Sequence, residues 1–145
     1  MRILLAIDDS RFSQAAIEAV MAQVRLHDSE VRILHVVESP PLLVAREMAG
    51  YEPALETALE SQKQNAEALV EKAAELLRAR GLSVSVALEV GDPKSRILDV
   101  AEEWHADLIV LGSHGRRGLD RFLMGSVSDA VARHAKCSVQ IGRIR

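Results

Sequence analysis

The chain has 145 residues, 48% of them apolar and 3% aromatic, with a formal net charge of −3. That is the length of one ordinary domain, so 1–145 is expected to fold around one core, and the weak negative charge argues against a nucleic-acid partner. No window approaches the ~20 apolar residues that a bilayer requires and no charged leader precedes an apolar run, so a cytoplasmic protein without a membrane partner is expected.

"RILLAI" (2–7) is an uninterrupted aliphatic run of the kind found in strands buried on both faces of a parallel sheet. The acids Asp8 and Asp9 follow it, and Ser10 is placed to cap a helix over 12–26, where Ala15, Ala16, Ala19, Val20 and Val24 recur at helical spacing. "VRILHVV" (31–37) reads as a second strand, closed by two prolines that a central ladder does not accept. Residues 42–51 fit either a helical turn or a mobile flap.

From 53 to 80 a long helix is predicted. Leu55, Leu59, Leu69, Ala73, Leu76 and Leu77 form its apolar stripe, and Gly81 stands where a C-terminal cap belongs. "SVSVALEV" (83–90) alternates as an edge strand does. "GDP" then turns the chain into a helix over 95–104, and "ADLIVL" (106–111) is another buried strand. Val127, Ala130, Val131 and Ala135 suggest a last helix, and "CSVQI" (137–141) a last strand whose Cys137 is expected as a small buried residue. As the lone cysteine, Cys137 leaves neither an intrachain disulfide nor a cysteine-built zinc site. Strands and helices alternate throughout, which gives an α/β fold: a single-domain, five-stranded parallel sheet with helices on both faces, because parallel strands need long right-handed crossovers.

Ligands of such sheets sit beyond the carboxyl ends of the strands, where the strand order reverses. Two loops leave strand ends there with suggestive residues: Asp8-Asp9-Ser10, and the stretch from Gly112 to Met124. Gly112 and Gly115 allow a close backbone approach, while Gly125 and Ser126 open a helix whose free N–H groups and dipole favour anions. Arg116, Arg117 and Arg121 add positive charge; from Gly112 onward seven Arg or Lys stand against two acids, +5 against −8 in everything before. The same residues also fit a plain reading, in which glycines turn the chain, Ser126 caps a helix and the arginines face water. Neither G-x-G-x-x-G nor the phosphate-loop pattern G-x-x-x-x-G-K-[ST] is present.

The spacing Gly112-x-x-Gly115, nine residues, then Gly125-Ser126 resembles the ATP-binding signature of the universal stress protein family. Similar segments surround it: "ILLAIDDSRFSQAA", "LHVV", "GDPKSRILDVAEEWHADLIVLGSHGRRGL" and "MGSVSDAVARHAKCSV". The resemblance implies a Rossmann-like sheet of order 3-2-1-4-5 that binds ATP, or AMP or ADP, with Mg or Mn held mainly by the phosphates. It also implies a role for each matching position. Asp8 would contact the adenosine part and the Val36 main chain the adenine, Gly112 and Gly115 would lie against ribose and phosphates, and Gly125, Ser126 and Val127 would cradle the phosphate chain. Members dimerise through the last strand, so a homodimer is implied, although Ser138 stands where the family commonly has proline and Gln140 interrupts the aliphatic run.

No metal site built from protein groups is expected, since no ligand cluster supports one. His114 lies inside the glycine loop, as a phosphate donor or facing solvent; His35, His105 and His134 read as structural, and Trp104 as closing the third helix on the core. No group is evident to position water for hydrolysis, and no Ser, His and Asp set is identifiable, so a non-enzymatic, nucleotide-dependent stress-response or regulatory module with an unknown protein partner is expected. The alternatives are a dimeric interaction module that binds no nucleotide and a weak ATPase.

Overall fold

The computed structural model describes residues 1–23, 28–38, 52–114 and 124–144. Strands β1 (Arg2–Ala6), β2 (Glu30–Val37), β3 (Ser83–Val90), β4 (Leu108–Gly112) and β5 (Ser138–Gly142) form one sheet in the order β3-β2-β1-β4-β5. Every pairing is parallel, with Ile3 opposite Val31 on one side and Leu108 on the other. Helices α1 (Arg11–Gln23), α2 (Glu52–Ala79), α3 (Pro93–Glu103) and α4 (Ser126–His134) supply the layers. The order implied by the family resemblance is the order found.

The strand period of two divides the apolar residues between two cores. Ile3, Leu5, Val31, Ile33 and Val110 meet Ala16, Ile17 and Val20 of α1 and Val70, Ala73, Ala74 and Leu77 of α2. On the other face Leu4, Ala6, Leu34, Val36, Ile109 and Leu111 meet Ile97, Val100 and Ala101 of α3 and Val131 of α4. Ile3, Leu4 and Leu5 are wholly buried, which explains why β1 reads as a continuous aliphatic run rather than an alternating one.

α1 lies very close to β4 and β5, and two glycines make room for it. A Cβ on Gly112 would stand 2.6 Å from the Phe12 carbonyl oxygen, and one on Gly142 would stand 2.8 Å from the Ala16 nitrogen. Gly112 and Gly142 are partners in the β4–β5 register, so together they form a side-chain-free floor under the helix.

Two helix ends share one capping geometry. At the end of α2, Gly81 (φ 86°) donates to Arg78 O and Leu82 N to Leu77 O, satisfying the last carbonyls. The predicted cap at Gly81 is therefore correct. After α3 the same pair of bonds is made by His105 N to Glu102 O and Ala106 N to Ala101 O, with His105 itself at φ 55°. His105 is thus the left-handed residue of a helix cap. Trp104 does close α3 on the core, with the Arg32 guanidinium 4.5 Å from its ring centroid and Arg2 Nη1 donating to its carbonyl at 3.0 Å. α3 starts at Pro93, two residues earlier than the apolar pattern suggests, because Asp92 caps it by accepting from Ser95 N.

Several expectations need correction. Leu59 and Leu76 do not belong to the buried stripe of α2; they are 40% and 44% exposed, and the stripe runs through Ala66, Val70, Ala73, Ala74 and Leu77. At 28 residues α2 is ~42 Å long, whereas the eight residues of β3 span ~26 Å. Its C-terminal end is anchored at the start of β3, so its first half runs on past the carboxyl ends of the strands. Cys137 is half-buried rather than buried, at the margin of the α3–α4 core, and desolvation pushes its thiol above the ordinary value of 9.0. β3 is the half-exposed edge that its pattern suggests, with Val86 and Val90 open to solvent. Residues 42–51 lie outside the described part of the chain.

Candidate functional site

β1 and β4 are neighbours, with Ala6 opposite Leu111, so the loops that follow them leave the same edge side by side. β1 hands over through Ile7, whose N–H donates to Leu34 O at 2.9 Å. Asp8 then turns the chain. Its Oδ1 accepts from Ser10 N at 2.9 Å, from the Ser10 hydroxyl and from the Ser13 hydroxyl at 2.9 Å, while Asp8 N donates to Ser13 Oγ at 2.7 Å. Ser10 was expected to cap α1, yet its hydroxyl is turned to Asp8, and the carboxylate is the group that gathers this turn.

The second loop is anchored at both of its described ends. Ser113 N donates to Gly142 O, and Ser113 O accepts from Gly125 N at 2.7 Å and from the Ser128 hydroxyl at 2.7 Å. Ser128 Oγ also reaches Gly125 O at 3.1 Å. The end of β4 and the start of α4 are thereby fixed to each other, although thirteen residues separate them. Gly125 is the N-cap residue, extended at φ −63° and ψ 161°, and it contributes no side-chain cap. The first-turn N–H groups of Ser126, Val127 and Ser128 thus have no capping side chain from their N-cap residue, the condition in which a helix start accepts an anion. Each such contact is worth ~0.3–1 kcal/mol to a carboxylate or phosphate oxygen at an exposed helix end.

Gly112 has a packing reason of its own, since α1 occupies the space of its absent side chain. Val36 is 8% exposed and its side chain belongs to the α3–α4 core, which leaves its main chain for any role at the edge. His35 is structural, as expected: its Nδ1 lies 2.8 Å from Ile7 O, and because a carbonyl only accepts, that nitrogen carries the proton. His114 does not simply face solvent. Its ring packs on Phe12 at a centroid distance of 5.0 Å, Nδ1 is 3.0 Å from Ser113 Oγ, and Nε2 is buried with no hydrogen-bond partner among the described residues. Gly115, Arg116, Arg117 and Arg121 lie outside those residues. Among the described residues no three His, Cys, Asp or Glu gather as a metal-binding group, and no helix is long and apolar enough to cross a membrane.

The Asp8 turn and the start of α4 follow the neighbouring strands β1 and β4, and the family model for universal stress proteins matches residues 1–143. The chain belongs to that family. This universal stress protein is 34% identical to a putative universal stress protein of Staphylococcus aureus over 143 residues, 97% of this chain and 82% of the relative. Among solved structures it is similar to the universal stress protein UspA of Lactobacillus plantarum, with 25% identity, a TM-score of 0.83 and coverage of 99% and 97% of the two chains. An Arabidopsis thaliana universal stress protein with AMP bound shares the fold at 20% identity and a TM-score of 0.71, over 100% of this chain and 92% of that one. A further universal stress protein, in complex with cAMP, has a TM-score of 0.66 at 22% identity, over 97% and 94% of the chains.

Sequence reasoning missed the serines of this universal stress protein. Ser13, Ser113 and Ser128 are the buried polar side chains among the described residues, and all three sit at this one edge. A buried hydroxyl must be hydrogen-bonded to be tolerated, so each marks a place where the fold keeps a polar contact inside. Gly142 was missed as well. The signal for it was available, since a glycine at the end of a strand can mark a close backbone approach.

Proposed function

We propose that this universal stress protein binds an adenine nucleotide, ATP or the related AMP or ADP, across the carboxyl ends of β1 and β4. The observation that carries the reading is the α4 start, with an N-cap that supplies no side-chain oxygen, held by the Ser113 and Ser128 bonds to the end of β4, the strand next to the one that the Asp8 turn follows. Gly125, Ser126 and Val127 would hold the phosphates, with Gly112 and Gly115 against ribose and phosphates. Asp8 would take the adenosine part and the Val36 main chain the adenine. Mg or Mn would be held mainly by the phosphates. The buried His114 Nε2, without a hydrogen-bond partner among the described residues, fits a site that uses further polar contacts when filled. The AMP and cAMP complexes of fold relatives support the nucleotide class.

The protein would act in the cytoplasm as a homodimeric, nucleotide-dependent stress-response or regulatory module toward a protein partner, without catalysis. Mass spectrometry of small molecules released on denaturation, together with calorimetry at millimolar ATP and magnesium, tests the reading. Co-purifying adenine nucleotide or saturable binding supports it; the absence of both sinks it and leaves a dimeric interaction module. Gly125→Val should abolish binding with far-ultraviolet dichroism intact, because the added side chain stands in the phosphate approach. Turnover that survives stringent purification and vanishes in that variant would make the protein an ATPase instead.

A further inference from the structure

The hydroxyl of Ser13 is committed twice to one residue. It accepts from Asp8 N at 2.7 Å and donates to Asp8 Oδ1 at 2.9 Å, closing a ring between the first turn of α1 and the end of β1. The side chain is 6% exposed. Serine at a buried helical position is inferior to alanine in helix propensity by a few tenths of a kcal/mol, so the hydroxyl earns no explanation from α1 alone. Serines in helices ordinarily bond to a carbonyl one turn back or cap the helix start; this one reaches five residues back to a carboxylate.

The consequence falls on Asp8. The bonds that described residues make to its carboxylate, from Ser10 N, Ser10 Oγ and Ser13 Oγ, all fall on Oδ1. A carboxylate only accepts, and its second oxygen keeps that capacity. We propose that Ser13 is a positioning residue: it locks the Asp8 carboxylate with Oδ1 turned into the α1 turn, which presents Oδ2 to a hydroxyl or amino donor of the bound molecule. The proposal rests on the nucleotide-binding reading above and adds to it a residue that touches no ligand yet sets which oxygen the ligand meets.

Five proteins test it: the natural chain, Ser13→Ala, Ser13→Thr, Asp8→Ala and the Ser13→Ala, Asp8→Ala double variant, each titrated with magnesium ATP in a calorimeter. Losing a hydrogen bond that orients a charged group predicts about a tenfold weaker affinity for Ser13→Ala. In the Asp8→Ala background the same change should cost nothing further, because the group it positions is gone. Ser13→Thr, which restores the hydroxyl, should recover most of the affinity. A Ser13→Ala affinity within twofold of the natural chain overturns the proposal, as does an equal further loss in the double variant, which would mark a merely structural role.

Amide hydrogen exchange without nucleotide separates this proposal from the reading beneath it. Ser13→Ala should accelerate exchange of the Asp8 amide several-fold while that of Leu5 in the β1 core is unchanged. If the natural chain binds no adenine nucleotide, the binding reading fails, and the exchange result still decides whether Ser13 fixes Asp8. Unchanged exchange at Asp8 overturns that claim too.

Discussion

Gly142→Ala tests the floor beneath α1. The new methyl would lie 2.8 Å from Ala16 N and 2.9 Å from both the carbon and the oxygen of the Ala15 carbonyl. All three atoms are main chain, so no rotamer change can clear them. Reaching ordinary contact at 3.4 Å requires α1 to lift by about 0.6 Å. A gap of that size forfeits a quarter to a half of the dispersion attraction of each contact it opens, and Ala16, Ile17 and Val20 of α1 are all buried against the sheet. With each aliphatic side chain worth ~1.5–3 kcal/mol when buried, the lost packing and residual strain come to about 2 kcal/mol, within the range for overpacked cores.

For a domain of this size that lowers the Tm by about 4–8 °C. Fluorescence of Trp104, the one tryptophan, followed through thermal unfolding measures it, with Ser138→Ala at the exposed start of the same strand as the control. A Gly142→Ala protein melting within 1 °C of the natural chain would refute the close approach of α1 to β5. Gly112→Ala meets Phe12 O at 2.6 Å and should be the more damaging of the two, with or without nucleotide.

Three further outcomes follow from the helix ends and the cysteine. His105→Gly removes the left-handed strain of the α3 cap and should raise the Tm by about 2–4 °C, roughly 1 kcal/mol; a fall would mean that the imidazole has a role of its own. Asp92→Ala deletes the N-cap of α3 and should cost about 1 kcal/mol in urea unfolding, and no change in midpoint would disprove the cap. The Cys137 thiol is raised by burial, so the folded state disfavours its thiolate. Stability from this group is present in full below the unfolded thiol value and is lost as pH rises through the folded one, and alkylation at pH 8 should be slower in the folded than in the urea-unfolded protein. Equal rates would place the sulfur in water.

Much of this architecture is legible because its signals are local. The aliphatic runs of β1 and β4, the alternation of β3, and Gly81 after α2 each depend on a few neighbouring residues, and each is found as read. What escapes is set by contacts between distant segments. Leu59 and Leu76 have the right helical phase, but burial depends on where the sheet ends, which no periodicity encodes. Ser10 looks like a cap until the competing carboxylate of Asp8 is placed two residues before it. Ser113 and Ser128 are unremarkable in sequence, and only the fold brings the end of β4 against the start of α4. In the candidate site, Asp8 and Gly125 could be picked from strand ends and glycine spacing, whereas the groups that hold them could not.

The length of α2 bears on how the molecule comes apart. Every described side chain of this helix before Ala66 is at least partly exposed, so its first half is supported by helix propensity and neighbouring-turn pairs more than by the sheet. Such a segment is marginal on its own in water. It should melt at lower temperature than the body it is joined to, and unfolding would then lack a single cooperative step. Helix content followed by circular dichroism would start to fall before Trp104, at the far end of the strands, reports any change. The two curves would be offset, with the early loss belonging to the first half of α2.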